Sequence, residues 1–230
     1  MVPFSVPRDL YARDRFEAGL SPAVTTFLGC CEYFADRMAS GTARGEQWVY
    51  SNSSRYVPQA TSFDEMVASG HLGANCAMIS NWGLMDIGAM PDGTRFWGDA
   101  TGGFANQDTV MPVLDPACVL FDLRGRRPTF AQLSDEGMVR PGDVFLCNLH
   151  TFVYRGHGTF YACGHETRWH ADPDARTEDP AKAVFETWIM DVSACSNRAC
   201  RINFLLRLRD DFIPTRCRRA DGVRVNIPEI

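Results

Sequence analysis

The chain has 230 residues, 45% of them hydrophobic, and a formal net charge of −5. At that length folding buries about 70–75% of the unfolded surface, so a core needs neither a disulfide framework nor a structural metal, and no cofactor is expected. The negative balance excludes sequence-independent nucleic-acid binding, and no apolar run approaches the roughly 20 residues of a membrane span.

Met1 to Asp9 lacks the basic and apolar regions of a signal peptide, which predicts synthesis in a cytoplasm. Nine cysteines are scattered over the chain, at Cys30, Cys31, Cys76, Cys118, Cys147, Cys163, Cys195, Cys200 and Cys217. An odd, unframed set reads mostly as buried thiols of a reducing compartment, with Cys195 and Cys200 the one local pair able to form a loop disulfide.

Ser21 to Ser40 carries Phe27, Leu28, Cys31, Phe34, Ala35 and Met38 at helical spacing, which predicts a long helix with a core-facing stripe. Trp48-Val49-Tyr50-Ser51-Asn52 follows, and Ser62-Phe63-Asp64-Glu65 is a capping box opening a short helix to about Ser69. Cys76 then precedes a helix-like run from Ala77 to Gly88. A thiol there sits at a helix N-terminus, where the N–H groups of the first turn favour the thiolate. A lone cysteine is otherwise a small buried hydrophobe, so a second group has to support it as a nucleophile.

Arg95 to Phe104 is an irregular Gly-rich stretch whose aromatics either wall a substrate or plug the core. Thr129-Phe130-Ala131-Gln132 is a second capping box, opening a helix to about Glu136. Pro141-Gly142-Asp143 is a turn signal, followed by a short buried strand from Val144 to Leu146. Strands around Phe152–Tyr154 and Thr159–Ala162 then flank a Gly156-His157-Gly158 hairpin turn. His150 thus begins a central strand, a suitable seat for the base of a cysteine–histidine pair. Phe185 to Val192 and Ile202 to Leu208 complete an antiparallel sheet. His157 reads as a solvated turn residue, His71 and His170 as loop residues, and the arginine clusters Arg124–Arg127 and Arg216–Arg219 as solvated loop charge.

A nucleophile heading a helix, followed by a small sheet that carries the base, resembles the NlpC-type cell-wall endopeptidases of the papain-like superfamily. Pro141-Gly142-Asp143 and His150-Thr151-Phe152-Val153-Tyr154-Arg155-Gly156 match the family's histidine element. Asn75-Cys76-Ala77 matches the nucleophile element loosely, since Asn75 and Ala77 replace its flanking acid and serine. Trp48-Val49-Tyr50-Ser51-Asn52 resembles the element that carries an upstream tyrosine. The matched stretch runs from about Gly45 to His165, roughly half of the chain.

The resemblance implies an α+β, papain-like domain over 1–230, with an N-terminal helical extension to about residue 45 packed on a central antiparallel β-sheet. It implies Cys76 as nucleophile, His150 as base, the Tyr50 hydroxyl facing the oxyanion and a third polar member after the histidine strand. Register puts that member at Ala162, which cannot serve, and His165 lies three residues on. Trp97, Asn75 and Trp48 are assigned to substrate contact. The implied substrate is a peptidoglycan stem peptide or cross-bridge, cut through an acyl-enzyme. With no signal peptide, the resemblance suggests a phage lysin released by a holin or carried in a virion. Two alternatives use the same chain: a catalytically silent module that binds a peptide, and a thiol amidase or acyltransferase acting on a small molecule. A zinc site from Cys147, His150, Cys163 and His165 fits no standard spacing. Nothing in the sequence indicates an oligomeric state.

Overall fold

The computed structural model describes residues 5–50, 62–70, 72–98, 104–147, 150–163, 187–191 and 201–228. After a 3-10 turn at Arg13–Arg15 comes α1 (Pro22–Ala39), the long helix expected from the periodicity. Ser21 caps it by accepting a hydrogen bond from the Val24 N–H at 3.3 Å, and Pro22 supplies a preset φ in the first turn. β1 (Val49–Tyr50) leads to α2 (Phe63–Ser69), where Ser62 and Glu65 form the capping box in both directions and Gly70 closes the helix at φ 72°. β2 (Gly73–Ala74) pairs in parallel with β1 and runs directly toward Cys76 and α3 (Met78–Asp86).

All nine residues of α3 are buried, and α1 packs against it. Gly83 permits that approach, because a Cβ there would stand 2.6 Å from the Phe27 ring and 2.9 Å from the Cys31 sulfur. β3 (Trp97–Gly98) and β4 (Phe104–Ala105) form a short antiparallel ribbon. Two further elements escape the sequence patterns: α4 (Gln107–Leu114), which contains Pro112, and β5 (Cys118–Asp122). α5 (Phe130–Asp135) opens at the second capping box as expected.

The remaining strands of the main sheet are β6 (Val144–Cys147), β7 (His150–Gly156), β8 (Thr159–Cys163), β9 (Thr187–Asp191) and β10 (Ile202–Leu208). Their order across the sheet is β5-β10-β6-β7-β8-β9, antiparallel throughout. The chain is therefore α+β. The Pro141-Gly142-Asp143 turn fixes the strand after it. Gly142 adopts φ 88°, its N–H donates to the Tyr154 carbonyl at 2.8 Å, and the Tyr154 N–H returns to the Asp143 carbonyl at 2.8 Å. The buried Asp143 carboxylate takes both arms of Arg207 from β10 at 2.7 Å, so the motif's acid is a structural clamp.

The pleat sorts side chains onto two faces. Val144, Leu146, Val153, Tyr161, Phe204 and Leu206 share one core with α1 and α3. Phe145, Cys147, Phe152, Phe160 and Leu205 share another with Phe130 and Leu133 of α5. On the first face Glu32 of α1, fully buried, receives Arg155 of β7 at 2.9 and 3.1 Å, Arg15 at 2.8 Å and the Tyr161 hydroxyl. Burial acts to raise the Glu32 pKa, and these donors outweigh it, holding the carboxyl below its ordinary range.

The chain ends in an antiparallel ribbon, β11 (Arg216–Arg218) and β12 (Arg224–Asn226). Within the Arg216–Arg219 cluster, expected as solvated charge, Arg219 is exposed but Arg218 corrects that reading. Arg218 is 1% exposed, with its guanidinium carbon 4.9, 5.3 and 5.9 Å from the ring centres of Tyr33, Phe34 and Phe63. It donates to Asp86 at the end of α3 and to Asp64 at 2.8 Å. A buried guanidinium is tolerated there because carboxylates and aromatic faces replace its water. Arg124 and Arg126, in contrast, are exposed and pair with Asp122 and Glu136.

Candidate active site

Cys76 stands in the turn that joins β2 to α3. The Asn75 side-chain oxygen accepts from the Ala77 N–H at 3.1 Å, the Met78 N–H donates to the Asn75 carbonyl at 3.1 Å, and the Asn81 N–H donates to the Ala77 carbonyl at 3.1 Å. Asn75 thus caps the turn that holds the thiol. Cys76 is partly exposed, whereas Cys30, Cys31, Cys118, Cys147 and Cys217 are each 0–1% exposed. Burial pushes the Cys118 thiol up to about 12, the Cys217 thiol up to about 11 and the Cys30 thiol well above its ordinary value. Among these thiols, accessibility singles out Cys76.

Pairing of β1 with β2 sets Tyr50 opposite Ala74, two residues before Cys76, so the backbone brings Tyr50 to the strand that leads into the Cys76 turn. Trp48 needs correcting. Its indole stacks on Phe63 at 5.6 Å, donates to Glu46 at 3.2 Å and is only 7% exposed, which makes it a core residue with no face for substrate. The aromatics of the Gly-rich stretch divide by alternation: Phe96 is fully buried, while Trp97 is 38% exposed. The guanidinium of Arg95 lies over the Trp97 indole, 5.0 Å from its centre. The sequence reading passed over Arg95, although the out-in-out order of Arg95, Phe96 and Trp97 is a strand-like signal.

His150 begins β7, as its motif predicts, and is buried at 5% exposure. It pairs across the ladder with Cys147, and its ring stacks on Phe152 at 5.8 Å. Both neighbours belong to the α5-facing core, so the pleat directs the imidazole to that face. α3 packs on the opposite face, the one formed by Val153 and Tyr161. The helix and histidine nevertheless share one end of the sheet. Asn81 in α3 donates to both Ala77 O (2.7 Å) and Phe96 O (2.9 Å) and accepts from Phe96 N at 2.8 Å. Phe96 meets Phe104 at 5.4 Å, Phe104 meets Phe204 at 5.9 Å, and Phe204 pairs with Leu146, the ladder partner of Thr151.

His165, expected as the third member, and the loop residues His71 and His170 lie outside the described residues, as do Cys195 and Cys200. His157 occupies the hairpin turn at φ 51°, exposed, 3.6 Å from Glu17. No group of three or more His, Cys, Asp or Glu among the described residues is placed to hold a metal ion. No helix among them is long and apolar enough to cross a membrane. In comparisons with protein-family models, curated proteins and solved structures, the chain matches none.

Proposed function

We propose that this is a papain-like, NlpC-type cysteine hydrolase that cleaves amide bonds in peptidoglycan stem peptides or cross-bridges. In this reading His150 takes the proton of Cys76, the thiolate attacks the amide carbonyl, the amine leaves, and water hydrolyses the acyl-enzyme. The Tyr50 hydroxyl donates to the developing oxyanion, and His165 orients His150. The observation that carries the reading is the placement of Cys76, a partly exposed thiol in a capped turn at the start of α3, while the other described cysteines with assigned burial are sealed in the core.

One observation favours a second reading, a papain-like module that binds a peptide without cutting it: the pleat that turns His150 toward Phe152. Mass spectrometry of purified peptidoglycan after incubation with the protein decides between them. New N-termini within stem peptides, released by the wild type and lost in Cys76→Ser and His150→Ala, are expected. Freed lactyl groups would make the activity an amidase. No released fragment from a folded wild-type protein would overturn the hydrolase and leave the binding module.

A further inference from the structure

Among the described residues, most partly buried arginines have acidic partners, and Arg201 instead donates to the Arg127 carbonyl and the Gln132 side-chain oxygen, both at 3.4 Å. Arg155 meets Glu32, Arg207 meets Asp143, Arg218 meets Asp86 and Arg224 meets Asp92. Arg95 breaks the pattern: it is partly buried, and no carboxylate among the described residues pairs with it. Desolvation pulls its pKa below the ordinary arginine value, and among the described residues no charge offsets it. A group that has lost water without gaining an anion is poised to receive one from outside.

Its position supplies the second argument. Phe96 is fully buried and its main chain is bracketed by the Asn81 side chain, which also binds the Ala77 carbonyl in the turn after Cys76. With Phe96 pointing inward, the flanking Arg95 and Trp97 point outward together, and their side chains stack at 5.0 Å. The stack holds the planar guanidinium in one orientation and lowers the entropy lost when it forms a two-pronged contact. The platform is thus tied through Asn81 to the helix start that carries the thiol.

We propose that Arg95, stacked on Trp97, is a carboxylate-binding residue that holds an acidic group of the substrate beside the Cys76 turn. The assignment of that carboxylate to a substrate rests on the hydrolase reading; the anion site itself does not. The test uses full-length Cys76→Ser protein labelled with nitrogen-15, titrated with acetyl-dialanine carrying a free C-terminal carboxylate and with its carboxamide. The Trp97 indole N–H and Arg95 Nε–H signals, identified with Trp97→Phe and Arg95→Lys, are followed. The carboxylate should shift both signals saturably and the carboxamide should not. Arg95→Gln, with an unchanged unfolding midpoint, should bind the carboxylate about 10–100-fold more weakly.

Equal shifts from carboxylate and carboxamide, no saturable shift, or undiminished binding by Arg95→Gln would overturn the proposal. Inorganic phosphate acting as strongly as the carboxylate would overturn the carboxylate assignment. Peptidoglycan cleavage by the wild type without carboxylate selectivity would refute Arg95 alone. Carboxylate selectivity without cleavage would refute the hydrolase and leave the Arg95 site standing.

Discussion

The carboxyl end of the nine-residue helix α3 is tied down by ionic contacts, whereas its amino end is held by amide and main-chain hydrogen bonds. Asp86 closes the helix where the dipole disfavours a carboxylate, and burial raises its pKa, but Arg218 and Arg224 supply the opposing charge. Arg218 extends the tie to Asp64 in the first turn of α2 and to the rings of Tyr33, Phe34 and Phe63, while Arg224 extends it to Asp92. At the other end Asn75 caps the turn and Asn81 joins it to Phe96. The two ends of this buried helix are thus held by different means: ionic contacts fix the carboxyl end, and amide and main-chain hydrogen bonds hold the turn that carries Cys76.

The largest way to break this contrast is Arg218→Ala. It leaves Asp86 buried without its main partner and empties the space between three aromatic rings, so we expect a loss of about 3–5 kcal/mol, read as the shift in the urea unfolding midpoint at constant slope. Arg218→Lys should recover only part of this, because an ammonium cannot stack on Phe34 and Phe63 while reaching both acids. A loss below about 1 kcal/mol in Arg218→Ala would show that the carboxyl end is held by packing alone.

A second test sharpens the amino end. With sub-stoichiometric iodoacetamide at neutral pH, Cys76 should be labelled at least about tenfold faster than Cys30, Cys118 or Cys217, because alkylation needs an accessible thiolate and burial opposes both conditions at those three sites. Peptide mapping reads the result. Preferential labelling of Cys118 or Cys217 would remove Cys76 as the nucleophile.

The two ends of α3 also differ in how far the sequence disclosed them. Caps and turn signals act over three or four residues, so Ser62, Thr129 and the Pro141-Gly142-Asp143 turn marked α2, α5 and β6 directly, while the helical spacing of Phe27 to Met38 marked α1. The cysteine turn was legible from the helix-like run that follows Cys76, while the cap that Asn75 supplies was not. β5 was hidden because α4 before it contains Pro112, which breaks the helical pattern that would have framed the strand. The β11–β12 ribbon was hidden because an arginine-rich segment reads as solvated; the burial of Arg218 depends on acids and rings contributed by α1, α2 and α3, among them Asp64, 154 residues away in sequence. The side of His150 was half legible. Its parity with Phe152 and Tyr154 is written in the motif, but which face α3 covers is a long-range packing outcome that puts the helix on the side of Val153 and Tyr161.

The smallest effect is expected at Asn75, where stability and reactivity should separate. Asn75→Ala removes the acceptor for the Ala77 N–H, but the bonds from Met78 to Asn75 and from Asn81 to Ala77 are main-chain contacts and persist, so the cost should be about 1 kcal/mol or less. Asn75→Asp keeps an acceptor and places a negative charge at the helix start, which the dipole favours, so the unfolding midpoint should return to the wild-type value or above it. The same charge beside Cys76 opposes a thiolate, so iodoacetamide labelling of Asn75→Asp should slow by about two- to fivefold while that of Asn75→Ala changes little. Equal labelling rates in the two variants, with their stabilities apart, would show that the cap and the thiol are electrostatically separate, and that the amino end of α3 positions Cys76 without tuning it.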